Sequence, residues 1–224
     1  MVSLRLLNVS VFFLLFVGLS KTLPIDIFNC TNLQAISSNL TTSYQLANDI
    51  DCNGFAFKEI GNASFPFSGM LDGKNFSIKN INITSNQSGV GIFGYADSAS
   101  IFNLILEGVS IFANSNSNSD VGCLIGFLSN SNIFNIHIYP DGMSNKANYV
   151  GCVYNCGGGF GRVNNSVLTN ITIKNTFVDA YIPGSATCAG GIVGELINSS
   201  ISNCHNLGSN NSSSILVSGF YSKK

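Results

Sequence analysis

The stretch that decides the fold is Gly94-Tyr-Ala-Asp-Ser-Ala-Ser-Ile101-Phe-Asn103, in which a glycine is followed seven residues later by an aliphatic residue and nine later by an asparagine. Three further copies keep this spacing: Gly126/Ile133/Asn135, Gly161/Leu168/Asn170 and Gly194/Ile201/Asn203. Successive copies start 32, 35 and 33 residues apart. Because a unit of this length cannot bury an apolar face alone, neighbouring units must stack, which indicates a repeat protein.

The segments between these positions are short, rich in β-branched residues and bounded by Asn, Ser, Gly and Asp, as is typical of β-strands. The signature repeats as a whole unit and not as a hairpin with matched turns. Each strand is therefore expected to pair with the equivalent strand of the next unit, in parallel sheets. The sequence predicts an all-β fold, a solenoid of parallel strands.

The constant spacing gives each repeat position an expected role. The glycines are expected at bends, where positive φ or close approach of the next coil excludes a Cβ. The aliphatic residues should lie on their counterparts in the next coil, and the asparagines should form an amide ladder at a turn. Asn170 is also a glycosylation sequon, and an amide buried in a ladder cannot carry a glycan. One of those two interpretations must fail at Asn170.

The chain divides into three expected parts. Residues 1–20 resemble a secretory signal peptide, because Arg5 precedes an apolar run that ends with small residues at the cleavage positions Gly18 and Ser20. The alternative is an uncleaved membrane anchor, but the run is shorter than the roughly 20 apolar residues of a membrane span. Residues 21–60 are expected to be an N-terminal cap and lead-in strand, with a short helix opened by a Thr31–Gln34 capping box. Residues 61–224 are expected to be β-helix repeats with an incomplete last coil.

The predicted leader implies an extracellular location, where cysteines form disulfides. Seven cysteines follow the leader, so one is left over. Cys30 and Cys52 are the first expected pair, since both precede the repeats. Cys123 and Cys152 are a second candidate pair, because Val121-Gly-Cys123 and Val150-Gly-Cys152 look like the same position in adjacent units. Cys204 replaces an aliphatic position and is expected to be a small core residue.

Asparagine-linked glycans are expected to supply solubility, because only 9% of the residues are charged. Eleven sequons follow the leader, and chance accounts for part of them in a chain so rich in Asn and Ser. Besides Asn170, the glycosylation candidates are Asn29, Asn39, Asn62, Asn75, Asn82, Asn86, Asn164, Asn198, Asn210 and Asn211.

Four separate elements resemble the GLUG-motif repeat proteins. These are the run from Tyr44 to Asp51, the run from Pro66 to Asn80 with its Phe-Ser-Gly-Met-Leu-Asp-Gly core, Gly91-Ile-Phe-Gly94, and Gly190-Gly-Ile-Val-Gly194. The resemblance covers about residues 30–210 and implies a secreted or surface right-handed β-helix of the pectin-lyase-like superfold. It implies an adhesive or scaffold setting and assigns no common activity.

No catalytic or metal site is expected, and no cofactor. Asp72 fits an Asp-Gly turn, Arg162 is the sole arginine after the leader, and the two histidines match no catalytic or zinc pattern. Without a basic stripe, nucleic acid is an unexpected partner. Clustering of three or more acidic residues in one groove would favour catalysis, the candidates being Asp97, Glu107, Asp120, Asp141 and Asp179.

Two functions remain open at this point. The first is a non-catalytic secreted or surface glycoprotein, not an enzyme, that presents a rigid face to an extracellular protein or carbohydrate ligand and has no membrane span once the leader is removed. The second is a carbohydrate-binding or polysaccharide-cleaving enzyme of the pectin-lyase-like type. Candidate residues for the binding face are aromatic: Tyr95, Phe102, Phe112, Phe134, Tyr139 and Phe177.

Overall fold

The structure is a computed structural model that describes residues 23–114, 119–140, 148–152, 155–180, 188–207 and 220–221. The predicted signal peptide, Asp141, Asn210 and Asn211 lie outside these residues. The helical elements are α1 (Cys30–Ala35) and a 3-10 turn over Ile36–Ser38. The strands of the described residues are, in chain order, β1 (Ile25–Ile27), β2 (Ser43–Leu46), β3 (Ile50–Asp51), β4 (Met70–Asp72), β5 (Ser77–Lys79), β6 (Asn82–Ser85), β7 (Gly89–Val90), β8 (Phe93–Asp97), β9 (Ser100–Glu107), β10 (Ser110–Ala113), β11 (Asp120–Gly122), β12 (Ile125–Ser129), β13 (Asn132–Tyr139), β14 (Asn148–Cys152), β15 (Asn155–Gly157), β16 (Phe160–Asn164), β17 (Val167–Lys174), β18 (Thr176–Ala180), β19 (Cys188–Gly190), β20 (Val193–Ile197), β21 (Ser200–Ser202), β22 (His205–Leu207) and β23 (Phe220–Tyr221).

Four parallel sheets run side by side along a β-solenoid, and each full coil gives one strand to each sheet. The long sheet has the order β1-β2-β4-β9-β13-β17-β21, with β3, β5 and β22 also joined to it. The other three have the orders β6-β10-β14-β18, β7-β11-β15-β19 and β8-β12-β16-β20-β23. The predicted all-β solenoid is therefore confirmed.

The core is a set of aliphatic stacks whose members come from successive coils. Ile101 pairs in register with Ile133, Ile133 with Leu168, and Leu168 with Ile201. The first three of these side chains are almost fully buried. Because equivalent residues lie on one another, each coil buries the apolar face of the last, as the repeat spacing predicts.

The repeat glycines are required by close approach of neighbouring backbone. A Cβ on Gly126 would lie 2.4 Å from the backbone nitrogen of Val90 and 2.7 Å from the carbonyl oxygen of Asp120. Similar backbone contacts surround Gly94, Gly161 and Gly194. Positive φ is not the reason, because among the described glycines it occurs only at Gly54, Gly61 and Gly108.

The repeat asparagines form the predicted amide ladder. Asn135 Nδ2 donates to Asn103 Oδ1 at 2.8 Å, Asn170 Nδ2 to Asn135 Oδ1 at 3.1 Å, and Asn203 Nδ2 to Asn170 Oδ1 at 3.2 Å. Asp72 Oδ1 accepts from Asn103 Nδ2 and so heads the ladder. All four asparagines adopt left-handed backbone, with φ between 52 and 56°. Since Asn170 donates its Nδ2 within the ladder, the ladder interpretation holds at that residue.

The predicted short helix is confirmed, but its predicted start is not. Asn29, not Thr31, is the N-cap: its Oδ1 accepts from the backbone N–H of Asn32 at 2.9 Å. Thr31 lies inside α1, and the side chain of Gln34 turns away to bond both backbone groups of Lys58. The capping box is therefore wrong, because an asparagine two residues earlier already satisfies the helix end.

The cysteines divide into bridged and free. The predicted Cys30–Cys52 disulfide is confirmed and ties α1 to the end of β3. Cys156 is also disulfide-bonded. The predicted pair of Cys123 with Cys152 is wrong, because Cys123 is a free, fully buried thiol.

The register explains the error at Cys123. Val121 pairs with Cys156, whereas Val150 pairs with Ile111, so the two Val-Gly-Cys stretches lie in different sheets. Cys204 is also a free thiol; it is partly buried and packs against the core. The structure thus agrees with a packing role for Cys204.

Candidate binding cleft

A groove of about 830 Å³ lies where the cap meets the first coils. We call it the cap groove. One wall comes from the turn after α1 and from residues 58–65, and the other from residues 87–89 and Tyr95. Its lining combines two aromatic rings, Phe65 and Tyr95, with hydroxyl, amide and charged groups. Phe65 is 69% exposed, more than any other phenylalanine of the described residues.

The polar groups of the cap groove are held in place by hydrogen bonds. Tyr95 Oη and Ser88 Oγ lie 2.7 Å apart, and Ser85 Oγ donates to Glu59 Oε1 at 2.6 Å. Gln34 holds Lys58 through both of its amide atoms, at 3.1 and 2.8 Å. These contacts fix the cap against the solenoid and pre-organise the groove, which favours binding over collapse.

Tyr95 also begins a row of side chains that continues along the solenoid. Each residue directly after a repeat glycine stands in register with the next, giving Tyr95, Phe127, Arg162 and Glu195, which we call the cleft ladder. The Tyr95 and Phe127 rings are 5.5 Å apart, and the Arg162 guanidinium lies 5.8 Å from the Phe127 ring centre. The row thus passes from aromatic to cationic to anionic.

Two residues of the adjoining sheet close over the charged end of the cleft ladder. Arg162 Nε lies 2.7 Å from Glu195 Oε2 and 3.4 Å from Asp120 Oδ1. Asn155 Nδ2 donates to Asp120 Oδ1 at 2.7 Å and to Glu195 Oε2 at 3.0 Å. Two carboxylates from different coils therefore share one amide and one guanidinium.

Asp120 is the most perturbed carboxyl of this cluster. The side chain is almost completely buried, and this burial raises its pKa to about 6. Nearby Glu195 raises the pKa further, while the Asn155 hydrogen bond and the Arg162 charge lower it. The effect of burial on the pKa is the largest of these, because the charged carboxylate would lose its hydration. Asp120 thus changes charge near the pH of weakly acidic surroundings.

The acidic residues whose clustering would favour catalysis do not come together among the residues described. Asp97, Glu107 and Asp120 belong to three different sheets. Asp97 accepts hydrogen bonds from Ser129 and Asn130, which lower its pKa, and Glu107 forms an ion pair with Lys79 at 3.1 Å. The side chain of Asp179 lies outside the described residues, as does Asp141. No group of three or more His, Cys, Asp and Glu side chains suited to a metal is found among the described residues.

The aromatic candidates for one binding face lie on three faces. Tyr95 lies in the cap groove, while Phe102 and Phe134 stack on the long sheet with ring centres 4.6 Å apart. Tyr139 stacks on His137 of the same strand. Phe112 and Phe177 are exposed on the β6-β10-β14-β18 sheet.

Sequence reasoning missed Phe65, Phe127 and the Asp120–Arg162–Glu195 contacts. The position after each repeat glycine is the signal that could have shown the cleft ladder.

The described sequons differ in their surroundings. Exposed asparagines are found at Asn29, Asn39, Asn62, Asn75, Asn82, Asn86 and Asn198. Asn164 is half-buried, and the hydroxyl of its sequon Ser166 is held in a hydrogen bond to the Asn164 carbonyl. Occupancy of all these sites stays a prediction.

Comparison with known proteins identifies distant relatives. No protein-family model matches the chain. It is 28% identical over 191 residues to an immunoglobulin A1 protease of Streptococcus sanguinis, a match covering 80% of this chain and 9% of that protein. It is 30% identical over 122 residues to halomucin of Haloquadratum walsbyi, covering 46% of this chain and 1% of that protein. The chain thus spans a small part of the length of the curated relatives it matches.

A solved structure shares the fold. The crystal structure of a Bacteroides ovatus protein assigned as an immunoglobulin A1 protease superposes with a TM-score of 0.52 and 15% identity, covering 82% of this chain and 75% of that one. Among the described residues, no helix has the length and apolar character needed to cross a membrane.

These names correct one expectation from the sequence. The chain was expected not to be an enzyme, and that expectation is contradicted because its relative and its structural neighbour both bear the name of a protease. The sequence contains no recognised catalytic spacing, and this absence does not exclude enzymatic activity. The chain is similar in sequence to an immunoglobulin A1 protease and shares its β-solenoid fold with the solved Bacteroides ovatus protein.

Proposed function

We propose that this chain is a β-helix module of a secreted or surface protein that binds a carbohydrate in the cap groove. The observation that carries the proposal is the lining of that groove, where the exposed Phe65 ring and Tyr95 stand among hydroxyl and amide groups. Sugars offer apolar C–H faces beside hydroxyl groups, so aromatic rings with hydrogen-bonding neighbours complement them. The GLUG-type repeat assignment and the secreted location belong to the same proposal.

Size and charge support a carbohydrate over a flat protein surface. A groove of about 830 Å³ lies within the usual range for small-molecule sites. Lys58 and Glu59 bring one charge of each sign to the lining, so the groove has no strong single-sign charge. The proposed ligand is therefore a short neutral oligosaccharide.

The test is a binding screen with protein made in bacteria, which lacks eukaryotic glycans. Neutral oligosaccharides are screened on an array, and the Kd of any ligand is measured by calorimetry. Phe65→Ala is expected to weaken binding about tenfold, as for truncation of an aromatic anchor. Phe112→Ala removes an equally large exposed ring on a different sheet and is expected to leave the Kd unchanged. An equal loss of affinity in both variants would contradict the proposal. Failure of the wild-type protein to bind any glycan on the array would contradict it as well.

A second candidate function is peptide-bond hydrolysis, favoured by the name of one relative and of the structural neighbour and by the pair of acidic residues Asp120 and Glu195. A carboxyl with a pKa of about 6 is suited to exchange a proton near neutral pH, and a second carboxyl group lies beside it. Against this, Asn155 and Arg162 already occupy both carboxylates. It therefore ranks second.

Incubation with immunoglobulin A1, followed by gel analysis of fragments, tests this second candidate. Cleavage that is lost in Glu195→Gln and kept in Glu107→Gln would support it, since Glu107 lies on another sheet. Absence of cleavage by the folded wild-type protein would remove the cluster from consideration as a catalytic pair.

A further inference from the structure

One glycosylation sequon lies in the wall of the cap groove. Asn62, Ala63 and Ser64 make up this sequon, and all three are exposed and line the groove. The residue that follows is Phe65, the most exposed ring of the groove. A glycan on Asn62 would therefore begin inside the proposed binding site.

The turn holds the Asn62 side chain in a fixed orientation. Asn62 Oδ1 accepts hydrogen bonds from the backbone N–H groups of Ser64 and Phe65, each at 3.0 Å. The backbone N–H of Asn62 donates to the Phe65 carbonyl at 3.0 Å, which closes the turn. With the amide oxygen engaged, no acceptor among the described residues takes a hydrogen bond from Asn62 Nδ2. The nitrogen that would carry the glycan is the unengaged atom.

Among the described residues, the asparagines of the other sequons lack this combination of a free Nδ2 and a place in the cap groove. Asn170 uses its Nδ2 in the amide ladder. Asn82 is exposed on β6 but does not line the cap groove, and neither does Thr84, the third residue of its sequon. Asn82 therefore serves as a matched site whose glycan lies elsewhere on the molecule.

We infer that Asn62 carries an N-linked glycan whose first sugar packs on Phe65, so that the modification occupies the cap groove and competes with its ligand. A lipid-diphosphate-linked oligosaccharide of the secretory pathway is the donor. Asn62 Nδ2 forms a C–N bond to the anomeric carbon, the C–O bond to the diphosphate breaks, and Nδ2 loses one proton as the lipid diphosphate leaves. The competition rests on the proposed carbohydrate binding, whereas the modification rests only on the proposed secreted location.

The first experiment maps the modification on protein secreted from eukaryotic cells. Glycopeptide mass spectrometry is expected to find Asn62 occupied in the wild type and empty in Ser64→Ala. This variant removes the sequon but keeps the turn, because Asn62 accepts from the backbone and not from the Ser64 hydroxyl. Thr84→Ala is the control and is expected to empty Asn82 alone. An unmodified Asn62 in folded, secreted wild-type protein overturns the inference.

The second experiment tests whether the glycan occupies the groove, without any external ligand. Hydrogen exchange over residues 58–65 is expected to be slower in the glycosylated wild type than in Ser64→Ala from the same cells, and to be the same for the two proteins made in bacteria. Equal exchange in the secreted pair shows that the glycan points away from the groove and overturns the packing on Phe65.

The third experiment measures competition with a neutral oligosaccharide that the bacterial protein binds. If the glycan fills the groove nine-tenths of the time, secreted Ser64→Ala binds about tenfold more tightly than secreted wild type. Thr84→Ala is expected to bind as the wild type does. Equal Kd values for all three contradict the competition, while absence of binding by the bacterial protein contradicts the proposed function and leaves the mapping result standing.

Discussion

At the scale of single residues, Asp120 is the group that sequence reasoning placed least well. The sequence offered it as one of several scattered acids, yet the fold buries it against Asn155, Arg162 and Glu195. The sequence marked Arg162 only as the sole arginine after the leader, and in the fold it lies at ion-pair distance from two carboxylates. Neither contact could be predicted, because the sequence does not state which residues of the adjoining sheet face the cleft ladder.

The buried carboxyl predicts how stability depends on pH. The pKa of Asp120 is raised in the folded state, from 3.8 to about 6, so between these values the folded protein binds more protons than the unfolded chain. The free energy of unfolding therefore falls as pH rises from about 4 to about 7, by about 3 kcal/mol from this group. Asp120→Asn is expected to remove this part of the dependence, as measured by urea unfolding at a series of pH values.

Asp97 provides a control, because its pKa is shifted in the opposite direction and so has the opposite effect on the pH dependence of stability. Hydrogen bonds from Ser129 and Asn130 lower its pKa, so its contribution to stability is present above the unfolded pKa and is lost as pH falls. Asp97→Asn should reduce stability at neutral pH and leave the fall between about pH 4 and 7 in place. An unchanged pH profile in Asp120→Asn would mean that Asp120 titrates normally in the folded protein.

At the scale of the element, the repeat spacing predicted the strands and one of the rows of left-handed residues, the row that starts at Asn103. This row was visible because an asparagine recurs at a fixed distance from a glycine, but Asn103, Asn135 and Asn170 lie within long strands and not at the expected turn. A second left-handed row escaped notice, at Ser98, Asn130, Asn165 and Asn198. Beside it, Ser131 Oγ accepts from the backbone N–H of Ala99, and Ser166 Oγ from that of Ser131, which forms a buried serine ladder. The first residue of this left-handed row is Ser98 and not an asparagine, so the asparagine pattern was incomplete in the sequence.

The amide ladder predicts a graded loss of stability at Asn135. Asn135→Gly keeps the left-handed backbone but removes the hydrogen bonds to Asn103 and from Asn170, at about 1 kcal/mol each. Asn135→Ala loses the same bonds and adds about 1 kcal/mol of backbone strain at φ 55°. Chemical denaturation is expected to rank wild type above the glycine variant and the glycine variant above the alanine variant. Equal stability of all three would show that the ladder does not contribute.

At the scale of the whole molecule, stability depends on the spacing between coils. Coils stack through parallel strands about 4.8 Å apart, and each coil contacts mainly its neighbours. The sequence predicted this architecture from one phrase, because the period alone dictates stacking. It did not predict the cap groove, since Phe65 and Tyr95 come from different parts of the chain and no repeat relates them. A groove whose lining residues do not recur with the repeat period cannot be predicted from that period.

Gly126 is the position where this spacing is tested most directly. Its absent Cβ would meet the backbone of both Val90 and Asp120 at less than 3 Å, and neither atom can rotate away as a side chain would. Gly126→Ala must therefore push β12 from the adjoining sheet, which also separates Phe127 from Tyr95 in the cleft ladder. We expect a loss of about 3 kcal/mol or more, in the range of overpacked cores, measured as a fall in the urea midpoint.

Gly54→Ala separates this effect from glycine replacement in general. Gly54 has φ 75°, but no atom lies within 4 Å of the position that a Cβ would take, so alanine there adds only backbone strain of about 1 kcal/mol. If Gly126→Ala costs no more than Gly54→Ala, coils can separate locally without loss of packing. The close approach at the repeat glycines would then be a consequence of the fold and not a requirement for it. A large loss of stability in Gly126→Ala alone would show that Gly126 sets how closely the β8-β12-β16-β20-β23 sheet can lie to the β7-β11-β15-β19 sheet.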